Sequence, residues 1–337
     1  MPERITILGD GAMGTVCSIL LTTGGHEPTM WGAFEESIDR LVQNRENARL
    51  LKGVKIPKQV RLTANDREAF EGASLILAAI PTQYMRLVWT RLKPFVPKDV
   101  PIVSVAKGIE VGTLLRPTQI IADVLSPGVV CPWKLAALSG PNIAAELARY
   151  LPGTAVAAST DEALAKRVQS LFATQWFRVY TNSDVVGVEL AGAIKNIIAI
   201  AAGILDGLAA GNNAKAALVT RGLVEISRLG VAMGAHASTF HGLAGLGDLI
   251  TTCVSPEGRN RTVGEQLGKG RKLDEVLSSM DSVAEGVATA RAVKELSRRH
   301  RVEMPITDAI YSVLFEGKDV LNALSDLMSR EPKPEQI

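Results

Sequence analysis

A chain of 337 residues is too long for one average domain and long enough for two sizeable cores. Hydrophobic residues make up 47% and charged residues 21%, which excludes a disordered chain and a small disulfide-stapled scaffold. A formal net charge of only +2 gives no general attraction to nucleic acid or anionic lipid, so no nucleic-acid partner is expected and any anion must be held locally.

The first segment with information, 4–15, reads R-I-T-I-L-G-D-G-A-M-G-T. Ile5, Ile7 and Leu8 suit a short buried strand, and Val16, Ile19 and Leu20 give one face of a helix. Between them Gly9 permits a tight turn, Gly11 lets backbone approach a pyrophosphate, and Gly14 lets the helix pack closely on the strand. The free N–H groups of the helix start would then take the diphosphate. The same three glycines also fit a purely structural strand-to-helix turn, but their place directly after the first strand favours a dinucleotide site. Core structure begins within a few residues of the first methionine, which leaves no room for a signal peptide and points to the cytoplasm.

Beyond this unit, apolar runs alternate with helical patterns. Strands are expected at 29–31, 75–80, 102–105, 135–138, 154–158 and 177–180, and helices at 35–51, 83–92, 117–125 and 162–172. Such alternation predicts an α/β unit, a parallel sheet covered by helices, over 1–182. After Ser183 the strand-like runs vanish and long Ala/Leu/Ile/Gly-rich helical patterns take over, so 183–330 reads as an all-helical domain. Asn182-Ser183-Asp184 is a suitable cap for its first helix. The stretch 185–208 is apolar enough to suggest a membrane span, but Glu189, Lys195, Asn196 and Asp206 interrupt it and favour a helix buried in protein. Residues 331–337, rich in proline and charge, read as a loose tail. Cys17, Cys131 and Cys253 have no metal-ligand or redox spacing and suit thiols in a reducing compartment; no metal is expected. The four histidines have no partner at catalytic or metal-ligand spacing and receive no role.

Four positions stand out chemically. Lys107 follows an apolar strand, where an open parallel sheet presents its ligand crevice, although a solvated loop charge fits the same placement. Asn142, in S-G-P-N after the next strand, is placed either to cap a helix starting at Ile143 or to reach into that crevice. Lys195 interrupts an otherwise apolar helix, which is costly unless the amine is paired, functional, or snorkels to water. Burial, and a second cation such as Lys107, would lower its pKa toward neutrality. Finally, 245–261 gathers Asp248, Thr251, Thr252, Arg259, Asn260 and Arg261; the guanidinium fork of arginine matches phosphate oxygens, while a solvated basic loop is the plainer account.

Taken in order, G-D-G-A-M-G-T at 9–15, A-K-G at 106–108, S-G-P-N-I-A at 139–144, E-L-A-G-A-I-K-N-I-I-A-I-A-A-G at 189–203, G-L-G-D at 245–248, G-R-N-R at 258–261 and V-E-M-P-I-T at 302–307 closely resemble the NAD(P)-dependent glycerol-3-phosphate dehydrogenases of the bacterial cytosolic type. The resemblance spans nearly the whole chain. It implies a Rossmann-like dinucleotide-binding domain followed by an all-helical one, and reversible reduction of dihydroxyacetone phosphate to sn-glycerol 3-phosphate, a precursor of glycerophospholipids. It further implies that Lys195 exchanges the proton, with Lys107 beside it contacting substrate and cofactor. Asn196 and Asp248 would orient Lys195 and the hydroxyls, Arg259 and Asn260 would hold the phosphate, and Gly140, Asn142, Thr252 and Gly258 would complete the substrate set. Gly9, Gly11, Ala12, Met13, Gly14, Ala144, Val283 and Glu285, together with Lys107 and Arg259, match cofactor positions. A homodimer joined through the helical domain is also implied, with Glu225 and Arg228 near such a surface.

Three residues depart from the family pattern: Asp10 between the first two glycines, where its charge is expected to point away from the diphosphate, Met13 in place of an aromatic side chain, and Gly258 in place of serine. The preference between NAD and NADP is not readable. Strand 29–31 is followed by G-A-F-E-E, with neither an acid nor an arginine in the usual place; Glu35 or Glu36 offers a slight bias against a 2′-phosphate. Related architectures acting on 6-phosphogluconate, ketopantoate or a hydroxyacyl-CoA compete with this reading, as does a dinucleotide sensor without turnover. The joint presence of Lys107, Lys195, Asp248 and Arg259 argues against the sensor.

Overall fold

A computed structural model describes residues 1–332, 334 and 335; of the expected tail, positions 333, 336 and 337 lie outside the described residues. The chain begins with β1 (Arg4–Leu8), α1 (Ala12–Thr23), β2 (Glu27–Trp31), α2 (Glu35–Asn44), β3 (Arg61–Thr63), β4 (Leu75–Ala78), α3 (Thr82–Leu92) and β5 (Ile102–Ser104). It continues with α4 (Pro117–Leu125), β6 (Leu135–Ser139), α5 (Ala144–Leu147), β7 (Gly153–Ala158), α6 (Glu162–Phe172) and β8 (Phe177–Asn182). These strands form one sheet of order β3-β2-β1-β4-β5-β6-β7-β8. Successive residues of a strand face opposite sides, and here both sides are covered. Ile5, Ile7, Leu75 and Leu77 pack with α1 and α6, whereas Leu8, Ile76, Ala78 and Ile102 pack with α3 and α4.

The expectation of a parallel sheet needs correction at one step, because β6 and β7 run antiparallel, while β7 and β8 are parallel again. A parallel return needs a full crossover, usually a helix of several turns, and 140–152 contains only the one-turn α5. Two local readings also change. Strand β3, short and partly polar, was not expected, and it extends the sheet beyond β2. Helix α2 stops at Asn44 rather than reaching 51, because Arg45 turns left-handed at φ 47° and sends its guanidinium to the carbonyls of Pro57 and Val60.

The helical part comprises α7 (Val185–Gly207), α8 (Gly211–Ala232), α9 (Ala237–Phe240), α10 (Asp248–Val254), α11 (Arg259–Gly268), α12 (Leu273–Ser278), α13 (Glu285–His300), α14 (Pro305–Phe315) and α15 (Val320–Met328). Its axis is α7, the one helix among the described residues long and apolar enough to cross a membrane, and it is buried within the protein. Asp184 caps it, accepting from the Gly187 N–H at 2.8 Å and fixing the His236 N–H and Thr239 hydroxyl. Against α7 lies α11, close enough that a Cβ on Gly264 would sit 1.9 Å from the Ile200 carbonyl oxygen and one on Gly203 1.9 Å from that of Arg261.

Glu225 is not a surface group of α8. Its carboxylate is buried and accepts from the N–H groups of Ile306 and Thr307 at the start of α14. Glu189 on α7 is likewise buried, bonded to Arg116 and to the Thr118 N–H, and so ties the helical part to α4 beside the sheet.

Candidate active site

The strand order reverses at β1, whose neighbours are β2 and β4, and a ligand crevice is expected outside the carboxyl ends of the strands at such a point. The glycine loop lies there. Gly9 has φ 120°, and a Cβ on it would stand 2.5 Å from the Ala79 carbonyl; one on Gly14 would stand 2.1 Å from the Gly9 carbonyl. Gly11 instead faces open space, with nothing within 4 Å of a Cβ built there. It precedes α1, which has no side-chain cap and no acid in its first turn, so the N–H groups over Ala12 and Met13 are available to an anion. This cradle fits a dinucleotide diphosphate. The Asp10 carboxylate turns from it toward α2, where the Ser37 hydroxyl donates to Oδ2 at 2.5 Å.

Across the crevice, the two lysines singled out in the sequence meet on one carboxylate. Lys195 Nζ donates to Asp248 Oδ1 at 2.5 Å, and Lys107 Nζ to Asp248 Oδ2 at 2.7 Å. Their side chains are 7% and 15% exposed and that of Asp248 only 2%, so Lys195 does not snorkel to water and Lys107 is not a solvated loop charge. Asp248 is the first residue of α10, which continues directly from a π-helical turn over Leu243–Gly247. Lys195 also donates to the Thr252 hydroxyl at 2.5 Å, while Lys107 donates to the Gly140 carbonyl at 2.9 Å. The Asn196 amide donates to the Lys107 carbonyl at 2.9 Å and thereby holds the turn that carries that lysine. Burial pushes the Lys195 amine down to about 8; the Lys107 charge acts in the same direction and Asp248 against it.

The remaining residues line the surroundings. Arg259 starts α11 and donates to the Val283 carbonyl at 3.1 Å; Gly258 precedes it as the helix cap residue. Asn260 is buried, and its side-chain oxygen accepts from the Gly286 N–H at 2.9 Å. Glu285 accepts from the Thr82 N–H at 2.7 Å, across from the helical part to the turn after β4, and burial pushes its carboxyl up. Asn142 does not cap a helix: α5 starts at Ala144 with Ile143 as its cap residue, and the Asn142 amide donates to the Thr154 carbonyl at 2.8 Å. Met13, Val105, Lys107 and Asn142 border one small, mostly apolar cavity together with Cys17 and Leu138.

Two residues in these surroundings were not picked out in the sequence. Gly192, one turn before Lys195, leaves room for the Lys107 stem, whose Cγ would lie 3.5 Å from a Cβ there. The signal was its i−3 spacing from Lys195 on α7. Phe34 is a 75% exposed aromatic ring at the start of α2, beside the end of β2. Its signal was an aromatic residue outside any apolar period.

This combination of an open sheet with a glycine cradle and a helical part that brings a buried amine to the crevice defines a two-domain dehydrogenase of the dinucleotide-dependent class. The family models for the N-terminus and C-terminus of NAD-dependent glycerol-3-phosphate dehydrogenase match residues 4–165 and 184–325, and the chain belongs to that family. The glycerol-3-phosphate dehydrogenase (NAD(P)+) of Citrifermentans bemidjiense is 48% identical over 337 residues, 100% of both chains. That of Chlorobium limicola is 48% identical over 98% of this chain and 99% of its own. The crystal structure of glycerol-3-phosphate dehydrogenase from Coxiella burnetii superposes with a TM-score of 0.93 at 35% identity, covering 98% and 99% of the two chains. A ketopantoate reductase family protein from Ralstonia eutropha reaches a TM-score of 0.59 at 16% identity over 93% and 97%, a likeness of fold alone.

Proposed function

We propose that this protein interconverts dihydroxyacetone phosphate and sn-glycerol 3-phosphate with NAD(H) or NADP(H), and that Lys195 carries the proton. The observation that bears most weight is a buried amine lowered to about 8 and held between Asp248 and Thr252, on the same crevice as the glycine loop. In this reading 1–182 holds the dinucleotide through Gly9, Gly11, Ala12, Met13 and Gly14, and 183–330 brings the proton donor and the phosphate grip. The nicotinamide supplies or accepts the hydride.

As negative charge develops on the ketone oxygen, the Lys195 ammonium stabilises it and then protonates it. Asp248 keeps Nζ aimed, and Lys107, sharing the same carboxylate, adds a second positive charge to the oxyanion region. In oxidation the neutral amine takes the hydroxyl proton. Arg259 and Asn260, side by side at the start of α11, would grip the substrate phosphate through the guanidinium, the amide and the free N–H groups of that helix. Gly140, Asn142, Thr252 and Gly258 would border the substrate, and Ala144, Val283 and Glu285 the cofactor.

Absorbance of the reduced nicotinamide should fall when dihydroxyacetone phosphate is added to the wild type, and Lys195→Ala should lower kcat by about 10²–10⁴-fold. No decline in the wild type with either cofactor would reject the substrate, and a fully active variant would reject the proton carrier. Pairing of two copies through the helical part belongs to the same reading, supported by apolar surface at Val231, Leu321 and Met328; sedimentation should then return the mass of two chains. The three free thiols suit a reducing cytoplasm.

A further inference from the structure

We infer that Asp10 reads the adenosine ribose and makes this protein prefer NAD(H) to NADP(H); the inference rests on the dinucleotide reading above. In sheets of this kind an acid at the end of the second strand takes the ribose hydroxyls. Here β2 ends at Trp31, and Gly32 has no side chain to offer. The loop fills that place from the other side. Leu8 pairs with Trp31, the Gly9 N–H donates to the Trp31 carbonyl at 2.8 Å, and the next residue, Asp10, lies across the strand end. A Cβ built on Gly32 would be 2.8 Å from Ile38 Cδ1 and 3.1 Å from Asp10 Cγ, so the carboxylate stands, with Ile38, beside the place a residue-32 side chain would occupy.

The carboxylate is also held in position. Ser37 donates to Oδ2 at 2.5 Å, and the Asn47 amide donates to the Asp10 carbonyl at 2.8 Å and to the Thr15 hydroxyl at 3.1 Å, which anchors the loop. Among the described residues Oδ1 has no hydrogen-bond donor, which leaves it free to accept from a hydroxyl. Glu35 and Glu36 open α2. The guanidinium that reaches the edge, Arg91, lies 5.2 Å over the Trp31 ring, donates to the Ala33 carbonyl at 3.0 Å, and is matched by two 2.7 Å bonds to Asp66. A ribose hydroxyl donates to a fixed carboxylate. A 2′-phosphate has lost that donor and adds about two negative charges, which the same carboxylate repels.

Calorimetric titration of the wild type, Asp10→Asn and Asp10→Ala with NADH and NADPH tests this without turnover, and 5′-ADP against adenosine 2′,5′-bisphosphate isolates the ribose position. The wild type should bind NADH more tightly, and Asp10→Asn, which keeps a partner for Ser37, should shift the ratio of dissociation constants about tenfold or more toward NADPH. Ser37→Ala should shift it less in the same direction. Equal binding by the wild type, or a ratio unchanged in both Asp10 variants, overturns the inference while turnover of dihydroxyacetone phosphate leaves the function standing. The expected shift without such turnover upholds Asp10 and removes the substrate. Failure to bind either dinucleotide overturns both.

Discussion

Lys195 is a residue whose surroundings decide its chemistry. Its pKa of about 8 arises mainly from burial, so the amine is largely protonated at neutral pH yet able to lose its proton. The sign is opposite for the two directions of reaction. Reduction needs the ammonium, so kcat for dihydroxyacetone phosphate should fall as pH rises through about 8; oxidation needs the free amine, so kcat for glycerol 3-phosphate should rise through the same range. Profiles that move together in both directions would take the proton away from Lys195. The lysine itself was legible in the sequence, because a charge inside an apolar helical period is conspicuous. Its partnership with Asp248 was not legible from spacing, since the two are brought together from distant parts of the chain, and it entered only through the resemblance. The surroundings of Lys107 and Asn142 likewise depend on partners that spacing does not reveal, Asp248 and Thr154.

At the scale of elements, the contact that matters most to the site is α7 against α11. The first carries Lys195 and Asn196 and the second begins with Arg259 and Asn260, and they approach through Gly203 and Gly264 with backbone nearly touching backbone. Gly264→Ala would place a methyl 1.9 Å from the Ile200 carbonyl, so the helices must separate. We expect a loss of about 1–3 kcal/mol of stability in thermal melts, and a rise in KM for the phosphate substrate larger than the change in KM for the dinucleotide. An unchanged melting curve would show that α11 can retreat freely. The elements themselves were mostly readable, since long apolar periods and buried runs speak for themselves. What escaped was short or non-local: β3, whose pairing with β2 outweighs a weak pattern, the stop of α2 at Arg45, and the antiparallel step between β6 and β7.

For the whole molecule, the sheet and the helical part are joined at buried polar contacts as well as along the chain. Lys107 reaches Asp248, Thr82 meets Glu285, and Thr118 meets Glu189. The crevice therefore exists only when both parts are in place. Its cationic side chains outnumber its acidic ones: Lys107, Lys195 and Arg259 stand with Asp248 and with Glu285, whose carboxyl burial pushes up. A phosphate dianion would find partners among these cations. In the proposed reading the open crevice acts as an electrostatic funnel whose pull weakens once a phosphate fills it. Capture should be sensitive to ionic strength and departure much less so, which would appear as a kcat/KM for dihydroxyacetone phosphate that drops as salt is added while kcat holds nearly level.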